Sequence, residues 1–524
     1  MTQSTQALIL AIDQGGQSSR VAVYNCNGEQ LYCFSAPCTT KNYQPENSVQ
    51  NFIEQDGEEI LNGIKNCLQK IQLALGDDIR HVRAAGFAGQ GSSLLCWDNQ
   101  TGAALTPVLS WQDIRGEIIL KNIPISHEQV QAITGLRLSP HYGASKIRWC
   151  IENYPAVAQA LENNRLSIGP IVSYIFWHLL QKKNIVDPGH AQRTLLWNLE
   201  NNNWDQSLLD LFNIPKSVLP ECLFHNSHFG YLMLGHLFNG YQVPFSASAR
   251  DQGASLFAQG LPDQSACYVN IGTGAFIQRV SENLNAPKGL LVSPLLLSQP
   301  KIKTEVVELA SPTCYAAEFT DYVTDVDSLL PQPLPESLYA WEATVNGAAS
   351  AISFLQQCTG LNITPEEINK AVALNPAQDC YFLNAVGGLS APYWRTDLQS
   401  QFSEHLSPYE KILAWIESVI FQIVVNIELM NISGNPPSKV QKIVISGGLS
   451  NADAICQKIA DLTQTQVHRS NNTDATLQGI AYLAAGMPRE WQPQQGDDIF
   501  TPHKNIQIQS RFKMWKVKMT DWLQ

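Results

Sequence analysis

Leu8-Ile9-Leu10-Ala11-Ile12-Asp13-Gln14-Gly15-Gly16-Gln17-Ser18-Ser19-Arg20-Val21-Ala22-Val23-Tyr24 is an apolar strand that ends at an aspartate, turns through glycines and runs out again as a second strand. A similar unit returns over residues 267–280, around Ile271-Gly272-Thr273-Gly274. A turn rich in Gly, Ser and Gln between two strands aims backbone N–H groups at a small volume, and the aspartate at its entrance adds a carboxylate. That chemistry suits phosphate oxygens and Mg²⁺. Finding the unit twice predicts two similar halves whose turns face each other across a cleft, with a nucleotide between them. The competing reading of the first copy is a plain tight hairpin of the kind Asn27-Gly28 spells a few residues later. Short glycine motifs match by chance, so the rest of the chain has to decide.

At 524 residues the chain exceeds what one hydrophobic core usually supports, which predicts two large domains. It is 44% hydrophobic and 15% charged, with a formal net charge of −12. An acidic balance without basic clusters argues against nucleic acid or an anionic membrane as the main partner. The first residues, Met1-Thr2-Gln3-Ser4-Thr5-Gln6, lack the basic start and apolar core of a signal peptide, so a cytoplasmic location is expected. The most apolar long stretch, 412–430, carries Glu417, Gln422, Asn426 and Glu428 and reads as a buried helix rather than a span. The 12 cysteines are scattered without a CxxC pair, which fits reduced thiols better than zinc or disulfides.

Three strands are expected over 8–12, 21–24 and 30–35, then a helix over 56–74 with Ile60, Leu61, Ile64, Cys67, Leu68 and Ile71 at helical spacing. Strands at 81–87 and 94–97 and an extended run at 107–111 follow. Residues 117–238 read as a mostly helical insertion, including helices at 171–180 and 205–212. Beyond the second glycine unit the pattern predicts helices over 341–357, 409–430 and 452–462 and a strand over 442–446. From Arg489 the chain loses clear periodicity until a basic end, Arg511-Phe512-Lys513-Met514-Trp515-Lys516, read as a tail packed on the second domain.

Collinear segments then carry a family resemblance. Trp111-Gln112-Asp113-Ile114-Arg115 is followed by Arg193-Thr194-Leu195-Leu196-Trp197-Asn198, Asn203-Trp204-Asp205 and Ile214-Pro215 with Leu219-Pro220-Glu221. Next come Ala249-Arg250-Asp251-Gln252-Gly253-Ala254, the Ile271–Gly274 turn, Gly388-Leu389-Ser390-Ala391-Pro392-Tyr393-Trp394 and Ser446-Gly447-Gly448-Leu449-Ser450. In order and spacing, from about residue 8 to 486, these resemble the FGGY carbohydrate kinases, the group of glycerol kinase, xylulokinase and gluconate kinase. The resemblance implies an α/β fold of two ribonuclease-H-like (actin-like ATPase) domains hinged about a catalytic cleft. Residues 1–257 would form the sugar-binding N-terminal domain with its helical insertion, 258–488 the nucleotide-binding C-terminal domain and 489–524 the tail. Implied partners are ATP with Mg²⁺ and a small sugar or polyol, with a homodimer left open.

The same resemblance assigns residues. Asp251, whose plain role would be an N-cap, becomes the base that takes the proton of the attacking hydroxyl. Gln252 holds a substrate hydroxyl, and Gln90, Gly91, Ser92, Trp111 and His141 line the sugar site. Asp13 sits near Mg²⁺, and Gly16, Gln17, Ser18 and Arg20 fall at phosphate-turn positions, Arg20 otherwise being a solvated strand end. Gly272 and Thr273 match the outer-phosphate turn, and Gly347 and Gly448 match nucleotide contacts.

Departures from the pattern concern substrate and activity. Gly91-Ser92 stands where glycerol kinase has Arg-Glu, and His141 where it has Tyr, which predicts a roomier pocket that favours a substrate other than glycerol. Gly16-Gln17 replaces Thr-Thr, and Arg250 replaces the Gly before Asp251. A degenerate nucleotide-binding protein of the same fold, with a regulatory or binding role, is therefore the competing reading.

Overall fold

The computed structural model of the chain describes residues 7–46, 50–233, 241–297, 337–374, 376, 379–432, 439–492 and 496–524. It divides into two compact units: Met1–Pro262 with Ser293–Tyr339 and Asp474–Gln494, and Asp263–Val292 with Ala340–Thr473 and Gln495–Gln524.

The first unit is built on a six-stranded sheet ordered Gly230–Met233, Gln242–Arg250, Val82–Gly89, Leu8–Gln14, Ser18–Asn25, Gln30–Pro37. Leu8–Gln14 pairs antiparallel with Ser18–Asn25 and parallel with Val82–Gly89, which pairs parallel with Gln242–Arg250. Every residue of Leu8–Gln14 is buried, as expected of a strand covered on both faces. Gly57–Leu75 is one covering helix. Asp56 caps it by accepting from the backbone N–H of Glu58 and Glu59, and Ile60, Leu61, Ile64, Cys67, Leu68 and Ile71 all face the core. Each such side chain contributes about 1.5–3 kcal/mol of burial before the entropy of ordering is counted. The other cover, Ala475–Ala484, comes from late in the chain. At Gly479 it lies so close to the short helix after Gln242–Arg250 that a Cβ would overlap the Ala254 carbonyl oxygen.

A second sheet, ordered Thr40–Tyr43, Phe52–Gln55, Val108–Leu109, Leu94–Asp98, Leu166–Pro170, supports the segments around Gln90 and Trp111. The expected 107–111 run narrows to Val108–Leu109, because Asp113 N–H bonds the Ser110 carbonyl and turns the chain. Described residues between 117 and 233 hold helices joined by two-residue strand pairs such as Trp197–Asn198 with Asn203–Trp204; residues 234–238 lie outside the described residues.

The second unit repeats the plan. Its sheet holds, in order, Ala275–Ser281, Ala266–Ile271, Lys442–Ser446, Gln466–Ser470 and Asp497–Phe500. Ala266–Ile271 pairs antiparallel with Ala275–Ser281 and parallel with Lys442–Ser446, as Leu8–Gln14 does with its own neighbours in the first unit. Among the described residues, Pro408–Ile432 is the helix long and apolar enough to cross a membrane, yet 83% of that window is buried inside the protein. It is a core helix, in keeping with buried Glu417, Gln422 and Asn426 on it.

Two expectations are corrected. The helix expected from 341 is a strand, Ser337–Val345, with the helix confined to Ile352–Thr359. Tyr339, Trp341, Ala343 and Val345 on one face of that strand and Leu338, Ala340 and Glu342 on the other are all buried, so no alternation of buried and exposed positions marks it. The segment without periodicity after Arg489 holds the strand Asp497–Phe500 and an 18-residue helix, Ile506–Leu523. That helix is fixed by Trp515, which donates to the Phe382 carbonyl, and by buried Arg511, which grips Glu417 with two bonds of 2.7 Å. A buried arginine on the inner face hides the apolar repeat.

Candidate active site

In the first unit the parallel strands end together. Register pairs Gln14 with Gly89 and Gly89 with Arg250, so Asp13, Gln90 and Asp251 leave the sheet at one edge, the side where parallel sheets place their ligands. Arg20 lies opposite Asp13 in the hairpin. Its Nη2 and Nε reach Asp13 Oδ2 at 2.6 and 3.1 Å, while Nη1 bonds Asp474. Arg20 is therefore not a solvated strand end. Burial, joined by the charges of Asp251 and Asp474, outweighs the opposing pull of Arg20 and leaves the Asp13 carboxyl pushed up to about 6. Asp13 and Asp251 thus lie within electrostatic reach of one another.

The first turn closes with Gly15 N–H on the Ser18 carbonyl at 2.9 Å. The carbonyls of Gly15, Gly16 and Gln17 accept from Gln14, Gln55 and Cys38 respectively, so their oxygens turn toward the protein. A Cβ on Gly16 would meet nothing nearer than Trp111 Nε1, 3.9 Å away.

Asp251 opens the short helix Asp251–Ser255, but the N-cap is Arg250, so the capping role does not hold. Its Oδ1 accepts from the Gln252 N–H at 2.7 Å. Burial raises its pKa above the usual carboxylate range, opposed by that bond and by the charges of Arg250, His190 and Arg193. A carboxylate so placed is a better proton acceptor than an exposed one.

Gln90 is 3% exposed, and its side chain is fully engaged: Nε2 donates to Gln14 and Gln55, and Oε1 accepts from Ser93 Oγ at 2.9 Å. Ser93 Oγ in turn accepts from the Trp111 N–H at 2.9 Å, and His141 Nδ1 lies 3.2 Å from the Trp111 carbonyl. Trp111 is 43% exposed, the unusual case of a large aromatic left open beside buried polar groups. The space beside Gly91 is not empty: a Cβ there would stand 3.0 Å from Arg250 Cδ and 3.1 Å from Arg193 Cγ. The pocket expected to be roomier at this point is filled by two arginine stems.

In the second unit Gly272 N–H closes on the Gly274 carbonyl at 2.8 Å, and the Gly272 and Thr273 carbonyls accept from Ala349 and Ser350. These bonds bring the segment after Gly347 to the turn. Gly347 has φ +70°, and a Cβ would come within 2.5 Å of Asn384 Oδ1. Gly447 has φ +94°, and its Cβ would strike the Ile271 carbonyl at 2.5 Å; Gly448 beside it has open space. Asn346 Nδ2 donates to the carbonyls of Gly387 and Gly388. Gly272, Thr273, Gly347 and Gly448 therefore gather round the end of Ala266–Ile271.

Sequence reasoning misses the groups that hold these residues. Asp187, on the turn into Pro188–Gln192, accepts from His190 Nδ1 at 2.5 Å and from Oγ of Ser248, on the strand that leads into Asp251, at 2.6 Å, all three fully buried. Burial works against that charge, yet His190, His225 and Ser248 hold the Asp187 carboxyl well below the usual range. Lys146 is missed as well. Its one signal is a lysine on the face formed by Gly143, Ile147 and Cys150.

Two sheets of one plan, each with a hairpin turn beside a parallel strand, are the two-domain actin-like ATPase fold. Residues 8–258 match the N-terminal domain of the FGGY family of carbohydrate kinases and residues 313–487 its C-terminal domain. The chain belongs to that family, and it is a kinase that phosphorylates an alcohol group. It is 29% identical to a glycerol kinase of Ectopseudomonas mendocina (strain ymp), covering 91% of this chain and 89% of that one. A glycerol kinase of Enterococcus casseliflavus is 26% identical over 91% of this chain and 87% of its own. Among solved structures, Plasmodium falciparum glycerol kinase with ADP superimposes with a TM-score of 0.82 at 21% identity over 99% of both chains. Gluconate kinase from Lactobacillus acidophilus gives 0.77 at 17% identity, over 99% of this chain and 98% of that one.

Proposed function

We propose that this chain transfers the γ-phosphoryl group of ATP to a hydroxyl of a small sugar, ketose or polyol other than glycerol. The observation that carries the reading is the edge of the first sheet, where Asp251 emerges beside the Asp13–Arg20 pair and the wall of Gln90, Ser92, Trp111 and His141. The acceptor hydroxyl oxygen attacks the γ-phosphorus, the bond to the β-phosphate oxygen breaks, and Asp251 takes the proton. Phosphoryl transfer depends mainly on positioning and charge stabilisation, so a half-buried carboxylate with a raised pKa suffices as base.

Asp13 would hold Mg²⁺. Its donor set fits: both Arg20 bonds fall on Oδ2, and Mg²⁺ typically takes one or two carboxylates with substrate phosphates and water. Bound there, the ion would neutralise charge on the transferring phosphate. Ser18 and the amides of Gly16 and Gln17 serve the phosphates on the first unit, and Gly272 and Thr273 serve them on the second. Gly347 and Gly448 give close backbone approach to the nucleoside.

Gly91 and His141 remove the charged and phenolic groups that the resemblance would lead one to expect for glycerol, and the Arg250 stem occupies the place beside Gly91. The acceptor is therefore a polyol other than glycerol, a ketose or a sugar acid. ADP release with Mg-ATP, measured across polyols, ketoses and sugar acids beside a reaction without sugar, tests this. Turnover of a member other than glycerol is expected; efficient turnover of glycerol alone overturns the specificity, and no turnover of any member overturns the kinase reading.

A further inference from the structure

Lys146 lies on Gly143–Asn153 with a side chain that is 0% exposed. Its Nζ donates to the Ser110 carbonyl at 2.7 Å and the Ser92 carbonyl at 3.3 Å. The residues that follow those two carbonyls, Ser93 and Trp111, carry bonds to the rest of the acceptor wall. Ser92 is itself a wall residue, and its neighbour Ser93 joins Gln90 Oε1 to the Trp111 N–H. Ser110 precedes Trp111, whose carbonyl meets His141. Gln90 carries the array on to Gln14 and Gln55, and Gln55 reaches the Gly16 carbonyl at 2.7 Å. An unbranched apolar side chain could fill the same volume, so a charged group here needs a reason.

We propose that Lys146 is the positioning residue of the acceptor site: by holding the Ser92 and Ser110 carbonyls it fixes Gln90, Ser92, Trp111 and His141 as one array and sets acceptor affinity, without touching the phosphoryl group. The inference rests on the kinase reading above, since it names what keeps that site in shape. Bonds from an ammonium are about twice as strong as neutral ones, so its charge state matters. Burial pushes the Lys146 pKa down to about 7; Arg115 adds to this, while Asp113 and Cys150 oppose it. His141 also faces this charge, and burial lowers its own pKa.

Two measurements test the role. In the wild-type protein, KM for the best acceptor should rise about three- to tenfold between pH 6.5 and 8.5 as the ammonium is lost, while KM for ATP stays level. In Lys146→Met, KM for the acceptor should rise about tenfold or more and lose that pH dependence, with kcat falling less than KM rises. Hydrogen exchange over residues 90–95 and 109–114 should accelerate by about tenfold in the variant, with Lys442–Ser446 unchanged. Equal changes in both KM values, a flat acceptor KM in the wild type, or unaltered local exchange in a folded Lys146→Met would overturn it. If the variant does not fold, the wild-type pH series alone decides. A wild type without turnover on any acceptor refutes the kinase reading, whereas the exchange result still judges Lys146.

Discussion

The two glycine turns share a topology and differ in what holds them. The first is framed by charge: Asp13 is buried, paired to Arg20, and Arg20 is tied to Asp474. The second is framed by sterics: a Cβ on Gly447 would strike the Ile271 carbonyl, one on Gly274 would stand 2.9 Å from the Val345 carbonyl, and there is no ion pair on the turn itself among the described residues. One backbone plan thus yields a turn that can tune a metal and a proton and another that packs backbone against backbone. Gly15 and Gly16 of the first could be replaced at little steric cost; Gly274 of the second, and Gly447 packed against it, could not.

The largest effect should come from removing the carboxylate on the charged side. Asp251→Asn is expected to lower kcat by about 10²–10⁴ while leaving ATP affinity nearly unchanged, as read by steady-state kinetics and calorimetric nucleotide binding. Wild-type turnover in that variant would break the assignment of chemistry to the first unit.

Steric contrast is the next lever. Gly447→Ala should destabilise the protein by about 2–4 kcal/mol in denaturant unfolding, since it forces a Cβ into both a left-handed conformation and a carbonyl. Gly16→Ala, with nothing nearer than 3.9 Å, should cost less than about 1 kcal/mol. Equal costs would erase the distinction between the turns.

Arg20→Met leaves Asp13 buried without its partner and should cost about 1–3 kcal/mol, with a further loss of Mg²⁺-dependent activity. If unfolding free energy were unchanged, the ion pair would not be what orders the first turn. The smallest effect is expected for Thr273→Val, which removes an exposed hydroxyl at nearly constant volume: KM for ATP should rise about three- to tenfold and KM for the acceptor less. Parallel rises would mean that the second turn supports both substrates.

Much of the frame is legible in the order of residues. The helical spacing from Ile60 to Ile71 is a local signal, and the structure returns the helix expected over 56–74 as Gly57–Leu75. Ser337–Val345 reads as a helix because a strand buried on both faces has no period-2 signal. Ile506–Leu523 escapes because Arg511, a core residue only when Glu417 from far back in the chain meets it, breaks the apolar repeat.

The two strand–turn–strand units, their order and the aspartates at strand ends follow from the chain's residues alone, because nearest-neighbour backbone geometry and side-chain periodicity specify them. The task each polar side chain performs is settled by packing instead. That Gln90 spends its amide nitrogen on Gln14 and Gln55, that Arg250 and Arg193 cover Gly91, and that Lys146 sits beneath Ser92 and Ser110 depend on partners far away in the chain. A buried polar group must find whatever donor or acceptor the packed chain brings to it, and no local pattern records which one that will be.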